Sequence, residues 1–170
     1  MTRLLPWHAE QFEGLCARQQ EGRLGHAWLL SGPQGSGKLD LARHLANTLL
    51  CSAAMVTGAC GACTSCQLFA VGTHPDFRQV QPEKALIKVD QIRETIEFAQ
   101  NTSQRGGMKI LVFEPAEAMN QNAANALLKL LEEPPAGTLL LLVSHQAGLL
   151  LPTIRSRCQV LRLPMPAMAA

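Results

Sequence analysis

Net charge is scarce in this sequence. Fifteen lysines and arginines face thirteen aspartates and glutamates, leaving a formal +2 at pH 7. So small a balance gives no surface-wide attraction to nucleic acid or to an anionic membrane. Long apolar runs are missing too: none reaches the roughly 18–20 residues needed to cross a bilayer. The N-terminal stretch Met1-Thr2-Arg3-Leu4-Leu5-Pro6-Trp7-His8 has neither the apolar core nor the small-residue cleavage site of a secretory signal. These absences point to a cytoplasmic protein with no membrane contact. In a reducing compartment, six cysteines are read as metal ligands or free thiols before disulfides. No internal repeat is found. With 47% hydrophobic residues in a chain of 170, the composition fits one compact domain with a sizeable core.

What is present begins with Gly32-Pro33-Gln34-Gly35-Ser36-Gly37-Lys38. An apolar run, Ala27-Trp28-Leu29-Leu30, precedes it, and Leu41, Ala42, Leu45, Ala46 and Leu49 follow at helical spacing. A strand, a glycine-rich turn of G-x4-G-K spacing and a helix start make the phosphate-binding loop of an NTPase. Gly32, Gly35 and Gly37, with Ser36 between them, let several backbone N–H groups converge on one anion. The helix N-terminus adds its positive dipole end, and Lys38 reaches the outer phosphates. The plainer reading is an ordinary glycine-rich turn, but both spacing and flanks favour phosphate. One group is absent. The residue after the lysine should be Ser or Thr, whose hydroxyl ligates Mg²⁺, and here it is Leu39. Holding a nucleotide and hydrolysing it are thereby separated.

Taken in order, residues 7–22 form an amphipathic helix ahead of a buried strand at 27–30, and the helix after the phosphate loop covers 37–50. Residues 51–74 change texture, with Cys51, Gly58, Cys60, Gly61, Cys63, Cys66 and Gly72 but too little apolar content for a core layer. The segment is read as an insertion with its own local stabiliser. A short strand at 76–80, a helix at 89–100 and a turn at Arg105-Gly106-Gly107 follow. Next come a buried strand at 109–113, a strong helix at 120–133 stopped by Pro134-Pro135, and a buried strand at 138–143. A short helix within 149–157 and a last strand at 158–163 complete the pattern. Strands alternating with helices predict a parallel sheet covered on both faces. The Pro- and Ala-rich end, with 167–170 as the start of a linker, suggests that the natural protein continues.

Cys51, Cys60, Cys63 and Cys66 are spaced C-x8-C-x2-C-x2-C. Thiolates two residues apart hook a metal from a tight turn, and four soft sulfurs in a tetrahedron suit Zn²⁺. Four protein ligands leave no open position, so such a site is structural. Unliganded thiols are one alternative. An iron–sulfur site is another, against which the C-x2-C-x2-C run lacks a fourth cysteine and its proline after Cys66. Cys16 and Cys158 read as small buried hydrophobes. His26 and His74 read as structural histidines.

Three stretches then combine: Asn125-Ala126-Leu127-Leu128-Lys129-Leu130-Leu131-Glu132-Glu133-Pro134-Pro135, Ser156-Arg157-Cys158, and the cysteine cluster, which Thr73-His74-Pro75-Asp76 follows. Together they resemble bacterial DNA polymerase III clamp-loader subunits of the AAA+ class, over nearly all 170 residues. The resemblance implies an α/β, RecA-like P-loop NTPase domain over 1–166. It would hold a five-stranded parallel sheet with helices on both faces and a zinc module inserted at 51–74. The partners it implies are gamma, tau and delta subunits in a hetero-oligomer, with the sliding clamp and primer-template DNA reached through the complex.

Within that family, an ATP-hydrolysing motor subunit would carry Lys-Ser or Lys-Thr in the loop and Asp-Glu after the third strand. Here the second motif is Val112-Phe113-Glu114-Pro115. Pro115 has no acid–base group with which to polarise water, and Glu117 falls two residues too late to replace it. Phosphoryl transfer depends on positioning and metal electrostatics, so the chain is expected to hydrolyse ATP poorly or not at all and to bind ATP or ADP weakly or not at all. Ser144 or His145 corresponds to the polar sensor position. Arg157 of the Ser-Arg-Cys motif is the implied arginine finger, acting in trans on a neighbour's ATP. Its plainer reading is a structural arginine paired with a local carboxylate, and Arg155 is the weaker finger candidate. Two other functions remain to be weighed, an active P-loop ATPase of the gamma or tau kind and a zinc-module nucleic-acid binder. Residues 51–77 contain no Lys or Arg for phosphate contacts, which disfavours the binder.

Overall fold

The computed structural model of the chain describes residues 3–105 and 107–167. Gly106 of the expected turn, and all but the first residue of the expected linker start, lie outside them.

A 3₁₀ turn at Pro6–His8 leads into helix α1, Ala9–Gln20. Strand β1 (Ala27–Ser31) and helix α2 (Lys38–Leu50) flank the phosphate loop. Helix α3 (Thr64–Ala70), strand β2 (Phe77–Val80), helix α4 (Val89–Gln100) and strand β3 (Lys109–Phe113) come next. Helix α5 (Gln121–Glu132), strand β4 (Thr138–Ser144), the short helix α6 (Pro152–Arg155) and strand β5 (Gln159–Arg162) complete the chain. The five strands lie in the order β2-β3-β4-β1-β5, and every neighbouring pair is parallel.

Strands β3 and β4 are buried at every position, which is why they read as continuous apolar runs. Alternate side chains feed two cores. Leu29, Leu111, Phe113, Leu140 and Leu142 pack against Ile92, Leu127 and Leu131 of α4 and α5. Leu30, Ile110, Val112, Leu139 and Leu141 pack on the other face against Phe12, Leu15, Leu41 and Leu45 of α1 and α2. Helix α5 starts where Asn120 accepts a hydrogen bond from the Ala123 N–H at 2.8 Å, as an N-cap should.

In one place the structure departs from the expected pattern. The insertion is not devoid of core. Phe69 of α3 is buried and packs at a tilt against Phe77 of β2 with centroids 4.6 Å apart. A helix of seven residues shows too few periods for its pattern to stand out. The short helix expected within 149–157 is α6, and a 3₁₀ turn at Ala147–Leu149 precedes it. Pro152 disfavours helical backbone at the residue before it, and Leu151 is held extended (φ −58°, ψ 134°).

Gly32 illustrates how closely the chain passes itself. A Cβ there would stand 2.1 Å from the Leu163 carbonyl oxygen. Only glycine lets the end of β5 lie against the start of the phosphate loop, where the Leu163 N–H donates to the Ser31 carbonyl at 2.7 Å.

The fully buried Leu141 should be costly to truncate. Leu141→Ala is expected to lose about 2–5 kcal/mol, whereas Val56→Ala, at a side chain 89% exposed, should stay within about 0.5 kcal/mol of the parent. Urea unfolding of the two variants checks the contrast.

Candidate functional site

Two centres emerge, one built of sulfur and one at the carboxyl ends of the strands. Cys51 caps the end of α2, Cys63 caps the start of α3, and Cys66 lies in its first turn. Together with Cys60 they bring their sulfurs within 4.8 Å of one another. Cys51 and Cys63 are 3.8 Å apart, and Cys60 and Cys66 are 4.0 Å apart. A tetrahedron with metal–sulfur bonds of about 2.3 Å has edges of about 3.8 Å, so the four sulfurs already outline a site that fits Zn²⁺.

Backbone N–H groups aim at the same atoms. Ala53 and Cys60 donate to the Cys51 sulfur at 3.3 Å each. Ala62 and Cys63 donate to Cys60 at 3.4 and 3.3 Å, and Cys66 donates to Cys63 at 3.4 Å. Donors to sulfur favour the thiolate. The Ala62 and Cys63 N–H groups lower the Cys60 thiol, and Ser52 with the Cys66 N–H brings Cys63 down to about 5. Burial pushes Cys66 up to about 12; a cation among the four is what would let all of them ionise. Cys16 and Cys158 stand apart, packed against the two cores, and burial raises both thiols.

The module is fastened to the sheet by His74. The Asp76 N–H donates to its Nδ1 at 3.0 Å, which puts the ring proton on Nε2, 2.7 Å from Ser65 Oγ. The imidazole therefore donates to Ser65, the neighbour of Cys66, and does not activate it as a nucleophile. Burial lowers the His74 pKa and keeps the ring neutral. Asp76 turns its carboxylate to Ser103 Oγ and to the Gln104 and Arg105 N–H groups. Burial opposes that charge, but these donors outweigh it and hold the carboxyl below its ordinary range. His26 is satisfied against the Leu131 carbonyl at 3.0 Å.

At the second centre Gly37 adopts a left-handed φ of 83° and precedes α2, as the turn requires. Ser36 and Lys38 are both buried. The Lys38 ammonium donates to the Gly32 carbonyl at 2.8 Å, the Pro33 carbonyl at 2.6 Å and Ser36 Oγ at 3.4 Å. Burial lowers its pKa, opposed by the charges of Glu117 and Glu114. Those carboxylates have partners of their own. Glu114 Oε1 meets His145 Nε2 at 3.0 Å. Glu117 accepts from Ser144 Oγ at 2.6 Å and from the His145 and Gln146 N–H groups. Both sensor candidates, Ser144 and His145, are thus tied to acids from the β3 end. The engagement of Glu117 with β4 has no local signal, because the partners are 27 or more residues apart.

Arg157 lies just after α6, away from the sulfur cluster. Its Nη2 is 2.7 Å from Glu132 Oε1 at the end of α5, and Nη1 donates to the Thr153 carbonyl at 3.0 Å. Its side chain remains 36% exposed. Among the described residues no helix is long and apolar enough to cross a membrane.

A sequence profile for the family described as "DNA polymerase III, delta subunit" matches residues 7–167. The chain is 51% identical, over its full length, to the DNA polymerase III subunit delta' of Pseudomonas aeruginosa and covers 52% of that protein. It is 40% identical, over 96% of its length, to the subunit delta' of Escherichia coli strain K12 and covers 50% of it. The chain thus spans about half the length of the curated relatives it matches. Among solved structures it is similar to a DNA polymerase III gamma subunit-related protein of Thermotoga maritima. The TM-score is 0.64 at 25% identity, covering 94% of this chain and 47% of that one. It shares the fold of the RuvB Holliday junction branch migration motor of the same organism, with TM-score 0.55 at 18% identity, covering 95% of this chain and 45% of that one.

The sulfur cluster generates a test of its own. Protein purified without chelator should carry about one tetrahedrally bound metal per chain, measured by elemental analysis, and Cys51→Ser should lose it. Because the ligands bind as thiolates, stabilisation by the metal is fully present only above the ordinary thiol pKa range and is lost progressively as falling pH protonates them. His74→Ala should speed metal loss to a chelator, followed by release of the ion to a colorimetric indicator, while the far-ultraviolet signature of the sheet is kept.

Proposed function

We propose that this chain, which belongs to the DNA polymerase III delta' family, is the AAA+ domain (residues 1–166) of a clamp-loader subunit that does not itself hydrolyse ATP. It supports ATP-dependent loading of the sliding clamp onto primed DNA by flanking the motor subunits and lending them an arginine. The observation that carries this reading is a phosphate loop complete in Gly32, Gly35, Ser36, Gly37 and Lys38 yet followed by Leu39. The loop keeps its backbone donors and loses the hydroxyl that would hold Mg²⁺. Pro115 supplies no base, and Glu117, the next acid along, is occupied by the end of β4. ATP or ADP at this loop is accordingly bound weakly or not at all. The partners are gamma or tau and delta subunits in a cytoplasmic hetero-oligomer. The metal held by Cys51, Cys60, Cys63 and Cys66 is Zn²⁺ with a structural role, since four sulfurs leave no coordination position for chemistry.

Arg157 is the residue that acts on a neighbour. A guanidinium is permanently charged and planar, suited to two parallel hydrogen bonds with a γ-phosphate. In the isolated domain Glu132 holds it in place. A pair so exposed is worth about 0–1 kcal/mol, so exchanging Glu132 for a phosphate across a subunit boundary costs little.

An active motor subunit is the second reading. The intact G-x4-G-K spacing and the likeness to a gamma subunit-related protein favour it. Phosphate release by the pure chain discriminates, since Mg²⁺-dependent turnover abolished by Lys38→Ala would establish the motor. We expect none, and Leu39→Thr alone should restore none, because Pro115 still offers no base.

For the arginine, the full-length protein carrying Arg157→Ala should remain folded and assemble with its partners. The assembled complex should lose DNA-stimulated ATP hydrolysis at the site it faces, by up to the 10³–10⁵-fold (an order-of-magnitude range) that such a residue contributes elsewhere. Unchanged ATPase and clamp loading would return Arg157 to a purely structural pairing with Glu132.

A further inference from the structure

The phosphate loop is covered by the chain's own N-terminal segment. Trp7 Nε1 donates to the Ser36 carbonyl at 3.1 Å. Leu5 rests on the loop so closely that a Cβ on Gly37 would stand 2.3 Å from Leu5 Cδ1 and 3.1 Å from His8 Cε1. His8 is 1% exposed, with neither ring nitrogen in a geometrically sound hydrogen bond among the described residues, and burial lowers its pKa against the opposing pull of the nearby Ser36 backbone. Beneath this cover, all three donors of the Lys38 ammonium point at the loop's own atoms. The segment is no free tail: the 3₁₀ turn Pro6–His8 runs directly into α1, whose Phe12 and Leu15 are buried in the core.

We propose that residues 5–8 are a strap that closes the phosphate loop, so that a nucleotide is admitted only when Leu5 and Trp7 lift from Gly37 and Ser36 and Lys38 exchanges backbone carbonyls for phosphate oxygens. The strap is a separate cause of weak nucleotide binding from the missing Leu39 hydroxyl, because it obstructs the anion and leaves the metal aside. It makes the loop a site whose occupancy depends on what happens to the N-terminal segment. A contact that draws Trp7 away, whether a neighbouring subunit or another part of the full-length protein, would open it. This rests on reading the loop as an anion cradle.

The test is calorimetric titration of ADP, and separately of inorganic pyrophosphate, into the full-length protein and its Trp7→Phe and Leu5→Ala variants. Trp7 is 42% exposed, so Trp7→Phe removes the indole donor without emptying a core position, and circular dichroism confirms the fold. Loss of one such hydrogen bond should raise affinity about fivefold, and Leu5→Ala should raise it as well. Adding Lys38→Ala to Trp7→Phe should cancel the gain. Equal or weaker binding by both variants would overturn the strap while leaving the cradle intact. Absence of binding by every form would overturn strap and cradle together, leaving the role of Arg157 in the assembled complex to stand or fall by its own assay.

Discussion

Strand β1 is paired on both sides, to β4 through Ala27–Ser31 against Leu140–Ser144 and to β5 through Trp28–Ser31 against Gln159–Arg162. No edge of it meets water, and Trp28, Leu29 and Leu30 bury on opposite faces of the sheet. This double pairing decides where the chemistry can be. It directs the Gly32–Lys38 turn out of the carboxyl end of the sheet, beside the ends of β4 and of β3 one strand further on. In an open parallel sheet that crevice is where ligands bind. The Gly32 N–H donates to the Ser144 carbonyl at 3.3 Å, so the first residue of the loop is still stitched to the strand whose last residue engages Glu117.

The same crevice gathers charged and polar side chains at the carboxyl ends of the strands. Lys38, Glu114, Glu117, Ser144 and His145 converge there, and each pairs with another protein group, although His145 Nδ1 is buried without a hydrogen-bond partner among the described residues. Buried polar groups without partners are costly. These pairings hold the carboxyl ends of β3 and β4 together. Arg157 lies on the surface just past α6 and shortly before β5.

The sulfur module is tied to the sheet by specific contacts. Phe69 carries α3 into the core beside Phe77, and the Ser65–His74–Asp76 chain ties the first turn of α3 to the start of β2. From Asp76 the connection continues through its carboxylate to 103–105, ahead of β3. Hydrogen bonds and the buried Phe69 together hold this corner in place.

Local sequence alone determined a good deal. Periodicity and punctuation located α4 and β3 at their observed limits, and α5 to within a residue at each end, because each is a strong pattern bounded by a cap, a glycine or a proline. The C-x8-C-x2-C-x2-C spacing singled out the four cysteines, since ligands close in sequence must be close in space. The G-x4-G-K loop and the departures at Leu39 and Pro115 were equally legible, being a matter of which atoms a residue possesses. Tertiary structure decided the rest. The strand order, the seating of Phe69, the capture of Glu117 by β4 and the pairing of Arg157 with Glu132 all join residues 8 or more apart. So does the strap. Nothing in Leu5-Pro6-Trp7-His8 announces that it will lie on Ser36 and Gly37, because that contact exists only once α1 and β1 have packed and carried the two segments to the same place.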